Sequence, residues 1–178
     1  MKKLLNILFF IPVIFFSQGK LIERNFNSID QNFQKKFKIE KDVFDNILII
    51  KDKKTSGQNI RIKPYLVIKN DFIFFRVSLM YQGFDWLEYD NFKFLINDNV
   101  YELPIGKTRK EINSNFNAVE YTDIELSDSE IEIFNKIAFA KTPIKYRISG
   151  VKKIDLKLYE NDYIKNIIEL YYLLTNKE

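Results

Sequence analysis

Two absences define the chemistry open to this 178-residue chain: it contains no histidine and no cysteine. A Ser-His-Asp triad, a Cys-His pair, a histidine-ligated zinc and a histidine proton shuttle are therefore excluded, and catalysis would fall to carboxylates, lysine, tyrosine or serine. The densest group of such residues is Tyr81–Leu87, "YQGFDWL", which holds the only tryptophan, with Asp85 inside it and Glu88 and Asp90 just beyond. Paired carboxylates are the tools of glycoside hydrolysis, and the flat face of Trp86 could stack on a sugar ring. The structural reading of the same residues is stronger. Gly83 directly follows a strand-like run and permits a bend or bulge there, so Trp86 is expected to fold back over the sheet end and lie mostly buried.

Arginine is scarce, at five of 28 basic residues, so Arg76 and Arg147 stand out. Arg76 falls on a mostly apolar strand face, where an unpaired charge is costly, and its expected partner is Glu120 or Asp85. The alternative is a pocket for a carboxylate or phosphate, which the guanidinium fork suits. Glu120 and Thr122 share one strand face while Asp123 and Glu125 share the other. That pattern reads as a solvated edge strand guarded by charge, with a weak calcium site as the alternative. No dense, regularly spaced acidic loop is present, so neither a metal nor a cofactor is expected. The candidate ligand-binding residues are thus Trp86, Asp85, Arg76, Arg147 and Glu120, and no catalytic residue is assigned.

The elements that position them start after an N-terminal leader, MKKLLNILFFIPVIFFSQGK. Two lysines, an apolar run Leu4–Phe16 and a small residue are the layout of a secretory signal peptide. The run contains Asn6 and Pro12 and is shorter than the roughly 20 apolar residues that span a bilayer. Its ending, "FFSQ", resembles export signals of the Bacteroidetes that are cut before glutamine. Cleavage is expected between Ser17 and Gln18, giving a periplasmic or secreted domain over 18–178 that meets the membrane only through the uncleaved leader. Lipid anchoring through a cysteine at that cut is excluded. About 160 residues suffice for one core without disulfides. Losing Lys2 and Lys3 lowers the formal charge from +4 to +2; the lysines are scattered singly rather than striped, so nucleic acid is not an expected partner despite a pI near 9.0.

Along the rest of the chain, Phe26, Ile29, Phe33 and Phe37 predict an amphipathic helix over 24–38. Val43–Lys51 reads as the first strand, joined through a loop containing Gly57 to "NIRIKPYLVIK", where Pro64 belongs at an edge or bulge. In "DFIFFRVSLMYQ", Ile73, Phe75, Val77, Leu79 and Tyr81 must face the core, and the mixed opposite face is expected to lie under a helix. A hairpin turns at Asp98-Asn99, 107–117 reads as an exposed loop, and "AVEYTDIEL" as a strand. Ser127 and Glu130 form a capping box for a helix with the stripe Ile131, Phe134, Ile137 and Ala138. "PIKYRISG" and "IDLKLY" are strands. A last helix, capped by Asn161 or Asp162, buries Ile164, Ile167, Ile168, Tyr171 and Leu174. Consecutive strands without crossover helices predict an α+β domain, a mainly antiparallel sheet of about six to eight strands with two or three helices on one face.

The succession Tyr81-x-Gly83-x-Asp85-Trp86-Leu87, Glu120, a short helix with Ile137 and Ala140, Arg147-x-Ser149-Gly150 and a closing helix with Tyr171 resembles a family of small exported bacterial proteins. The likeness spans roughly Phe72 to Leu174. It implies an exported single domain and carries over no functional residue. The function expected is a non-catalytic extracytoplasmic domain that binds a protein or glycan partner. The alternatives are a carboxylate hydrolase of glycans, which requires two acids in a cleft beside Trp86, and a component of a cell-envelope assembly.

Overall fold

The structure is a computed structural model that describes Phe26 and residues 29–56, 61–70, 72–115 and 117–175. The leader 1–17, its cleavage point, the first residues of the 24–38 helix and Gly57 lie outside the described residues. Within them the chain is α+β, with ten strands in two antiparallel sheets and three helices. The helices are α1 (Gln31–Gln34), α2 (Asp128–Phe139) and α3 (Asp162–Thr175). The larger sheet joins β1 (Phe37–Asp42), β2 (Ile47–Asp52), β3 (Ile62–Lys69), β4 (Phe72–Gly83), β8 (Ala118–Glu125) and β7 (Arg109–Ile112), in that spatial order. The smaller runs β10 (Lys153–Leu158), β9 (Ile144–Ser149), β5 (Asn91–Ile96) and β6 (Asn99–Pro104).

One core serves both sheets. Alternation places Phe75, Val77, Leu79 and Tyr81 of β4 inward, and likewise Phe92, Phe94 and Ile96 of β5 and Ile144, Tyr146 and Ile148 of β9. Phe134 of α2 touches both sheets, with its ring 6.1 Å from Phe75 and 6.3 Å from Phe94. Tyr171 of α3 meets Phe75 edge-on at 5.5 Å. Every residue of the two predicted stripes on α2 and α3 is buried.

Several expectations change. Of the helix expected over 24–38, Phe26 is helical and α1 covers Gln31–Gln34, whereas Phe37 belongs to the unforeseen strand β1; Phe33 packs on Phe37 edge-on instead of continuing a stripe. The predicted first strand begins at Ile47, since 43–46 form the β1–β2 turn, in which Asn46 takes φ 51°. The supposed loop 107–117 contains β7, whose four side chains are all exposed and carry no period to read. Pro64 lies in an internal strand, yet pairing to β2 stops at Tyr65, so the strand has a single neighbour at the proline. The outward face of β4 is not under a helix: α2 and α3 both pack on the Phe75 side.

Turn and cap chemistry follows the sequence closely in the second half. The β5–β6 hairpin turns at Asn97-Asp98, one residue before the Asp98-Asn99 expected: both take positive φ, 48° and 62°, as a tight turn requires, and Asn99 already pairs with Ile96. The Glu130 carboxylate accepts hydrogen bonds from the Ser127 N–H and hydroxyl at 2.7 and 2.6 Å. Asn161 does more than start α3. Its side-chain amide donates to the carbonyls of Ile137, Ala138 and Ala140 at 2.8, 3.2 and 3.1 Å, closing the C-terminal end of α2. Replacing Asn161 by Ala is expected to cost about 1–2 kcal/mol in urea unfolding. Asn161→Asp should cost no less, because a carboxylate cannot donate to those carbonyls.

Candidate functional site

The five candidate residues fall in three places, and the first is internal. Pairing of β4 with β8 sets Tyr81 against Glu120 and Gly83 against Ala118. β8 lies between β4 and β7 rather than at an edge, so Glu120 is fully buried, contrary to the solvated edge expected. Its carboxylate faces the segment 84–90 that leads from the larger sheet into the smaller. Successive backbone N–H groups of Leu87, Glu88 and Tyr89 donate to it, those of Glu88 and Tyr89 at 2.9 and 3.4 Å. Three such donors satisfy a buried anion without a cation. Tyr89 in turn donates its hydroxyl to the Leu79 carbonyl at 3.0 Å, and burial, then the Glu120 charge, push its phenol pKa up.

The same segment receives the β9–β10 turn. Val151 N–H donates to the Leu87 carbonyl at 2.8 Å and Asp90 N–H to the Ser149 carbonyl at 3.0 Å. A Cβ at Gly150 would lie 2.2 Å from the Leu87 carbonyl oxygen, so only glycine allows this approach. Gly83 is needed for space as well: a Cβ there would lie 2.0 Å from the buried Tyr81 hydroxyl. The glycines are thus packing devices, and Glu120 is a structural anchor.

Trp86 is not the core plug expected. Leu87 takes that position with no exposure, while Trp86 remains 37% exposed and lies under the Lys110 ammonium, 5.6 Å from its ring centroid. Asp85 and Glu88 point into solvent and pair with Lys152 and Lys110 at 3.4 and 2.7 Å. Among the described residues no group of three or more acids is placed to hold a metal ion.

Arg76 sits on the outward face of the larger sheet. Its partners are Asp123 at 2.8 Å and Glu125 at 3.5 Å, not Glu120 or Asp85, because the register places Glu125 opposite Arg76 and Asp123 one step along the same face. Tyr65 donates its hydroxyl to Asp123; burial and then that bond push the phenol to about 12. On the same face Glu40 joins Lys51 and Lys38 at 2.8 and 3.0 Å. Lys63, in the adjoining cavity of about 430 Å³, is half-buried and forms no ion pair among the described residues; burial lowers its pKa, and Lys51 lowers it further.

Arg147 lies on the outward face of the smaller sheet, in the wall of a cavity of about 760 Å³. The register aligns two rows across β6, β5, β9 and β10. The first row, Glu102, Lys93, Arg147 and Asp155, is self-compensating: Lys93 reaches Glu102 at 3.1 Å, and Arg147 holds Asp155 through two nitrogens, one at 2.7 Å. Those bonds keep both carboxyl groups below the usual range, Glu102 through Lys93 first and Asp155 through Arg147. The second row, Val100, Leu95, Lys145 and Lys157, is not compensated. Lys145 and Lys157 are directly opposite one another and neither forms an ion pair among the described residues. Exposed Leu95, Val100 and Tyr159 flank them. Among the sequence candidates only Arg147 belongs to this face. The lysines went unrecognised because each alternates with core residues in its own strand and only the register unites them.

No protein-family model, curated protein or solved structure matches the chain.

Replacing Glu120 by Gln leaves one acceptor oxygen and sets an amide donor against backbone donors. The expected loss is about 2–4 kcal/mol, with a shift in Trp86 fluorescence before global unfolding. Unchanged stability would remove the anchor role.

Proposed function

We propose that the protein is a non-catalytic extracytoplasmic binding domain whose outward face on the smaller sheet takes an anionic partner. The observation that carries this reading is the Lys145–Lys157 pair. Like charges directly opposite across a ladder are destabilising, and a single acid in place of either lysine would remove the conflict. A bound carboxylate, sulfate or phosphate group between the two ammonium groups offsets it instead. The adjacent Leu95, Val100 and Tyr159 supply apolar contact beside the charge. Export rests on the leader sequence alone.

The non-catalytic part of the reading is supported by the acids around Trp86. Glu120 is buried and spent on three backbone donors, while Asp85 and Glu88 each face solvent with a lysine partner. A hydrolase needs two carboxyl groups flanking a substrate cleft, and these three do not face a common space.

Dextran sulfate, with neutral dextran as control, tests the reading by isothermal titration. Binding to dextran sulfate alone, weakened about tenfold by K145Q/K157Q and left unchanged by the equally discharged K41Q/K69Q, is the expected result. Equal loss in both variants would reduce the interaction to bulk charge. Lys157→Glu separates binding from folding: it should raise stability by a few tenths of a kcal/mol by pairing with Lys145 while weakening dextran sulfate binding.

A further inference from the structure

The four edges of the two sheets differ in how they are closed. β7 is four residues long, and β6 ends in Pro104 with its inward Leu103 fully buried. At the edge strand β1, Lys38 and Glu40 pair with each other, and of the inward residues Phe37 is buried while Ile39 is exposed. β10 is guarded only by the charges on its outward side. It is six residues long, has neither proline nor glycine, and pairs only with β9 among the described strands. Its three inward residues, Ile154, Leu156 and Leu158, pack against the core, yet each remains only half-buried. On its outward side Asp155 is occupied by Arg147, while Lys153 and Lys157 form no ion pair among the described residues. A long, flat edge with free backbone groups is a template for another strand.

We propose that β10 accepts an extended acidic strand from a partner protein, antiparallel, turning the four-stranded sheet into a five-stranded one. Backbone hydrogen bonds supply the attachment and alternate side chains the selectivity. Apolar residues of the incoming strand complete the burial of Ile154, Leu156 and Leu158. Its acidic residues stand opposite Lys153 and Lys157, and one of them reaches the Lys145–Lys157 pair. The inference rests on the anion-binding reading and names its partner. A second copy is the competing occupant: two-fold pairing centred on Asp155 sets Lys153 against Lys157 and Asp155 against its own copy, whereas pairing centred on Leu156 sets Asp155 against Lys157, so dimerisation is one of the outcomes the test reads.

The probes are blocked peptides added to the full chain, Val-Glu-Val-Lys-Val-Glu and the charge-swapped Val-Lys-Val-Glu-Val-Lys, followed by amide NMR and hydrogen exchange. The acidic peptide is expected to bind at least about tenfold better, to slow exchange of β10 amides, and to leave β7 amides unaffected. The variant K153E/K157E should reverse the preference. Equal binding of both peptides, or binding without protection of β10, overturns the strand inference, as does dimerisation of the chain through β10. If dextran sulfate binds through Lys145 and Lys157 while the acidic peptide leaves β10 unprotected, the strand inference falls and the anion-binding reading stands. If neither binds, both fall.

Discussion

The structure depends on a buried carboxylate that holds backbone rather than a cation. Glu120 sits in an internal strand of the larger sheet and accepts N–H donors from Leu87, Glu88 and Tyr89, at the point where the chain leaves that sheet for the smaller one. An ionised carboxylate without such donors would be costly in the core, and three consecutive unpaired N–H groups would be costly as well. Each satisfies the other. The consequences spread outward: Leu87 fills the core, its carbonyl receives the β9–β10 turn, and Gly150 is held to a residue without a side chain.

This arrangement also divides the charged residues by task. Inside, a single acid organises the junction of the two sheets. Outside, Arg76 and Arg147 each belong to an ion-paired row, Arg76 with Asp123 and Glu125, Arg147 with Asp155. Such exposed pairs contribute little to stability; they set out the side chains around them in fixed positions. Lys145 and Lys157 on the smaller sheet and Lys63 on the larger are among the lysines that form no ion pair among the described residues.

Much of the fold was legible because its signals are local. The stripes of α2 and α3, the capping box at Ser127, the β5–β6 hairpin to within one residue and the alternation of β4 and β9 each follow from residues within a few positions of one another. What could not be read depends on pairing between distant segments. β1 was hidden inside a stripe whose Phe33 and Phe37 contact each other in a helix-to-strand corner, and β7 has no buried side chain to give it a period. Glu120 resembled the acids beside it because only the β4–β8 register reveals which face is covered. The burial expected of Trp86 belongs to its neighbour Leu87, since Glu88 takes a positive φ of 51° and the turn this makes decides which side chain points inward.

Hydrogen exchange at the amides of Leu87, Glu88 and Tyr89 tests the central claim most directly. These three lie in a segment without regular secondary structure, and the account predicts that they exchange as slowly as the amides of β4 and β8, through global unfolding. Exchange as fast as that of the exposed Ser114 and Asn115 would contradict it, and would show that Glu120 does not hold the junction between the sheets.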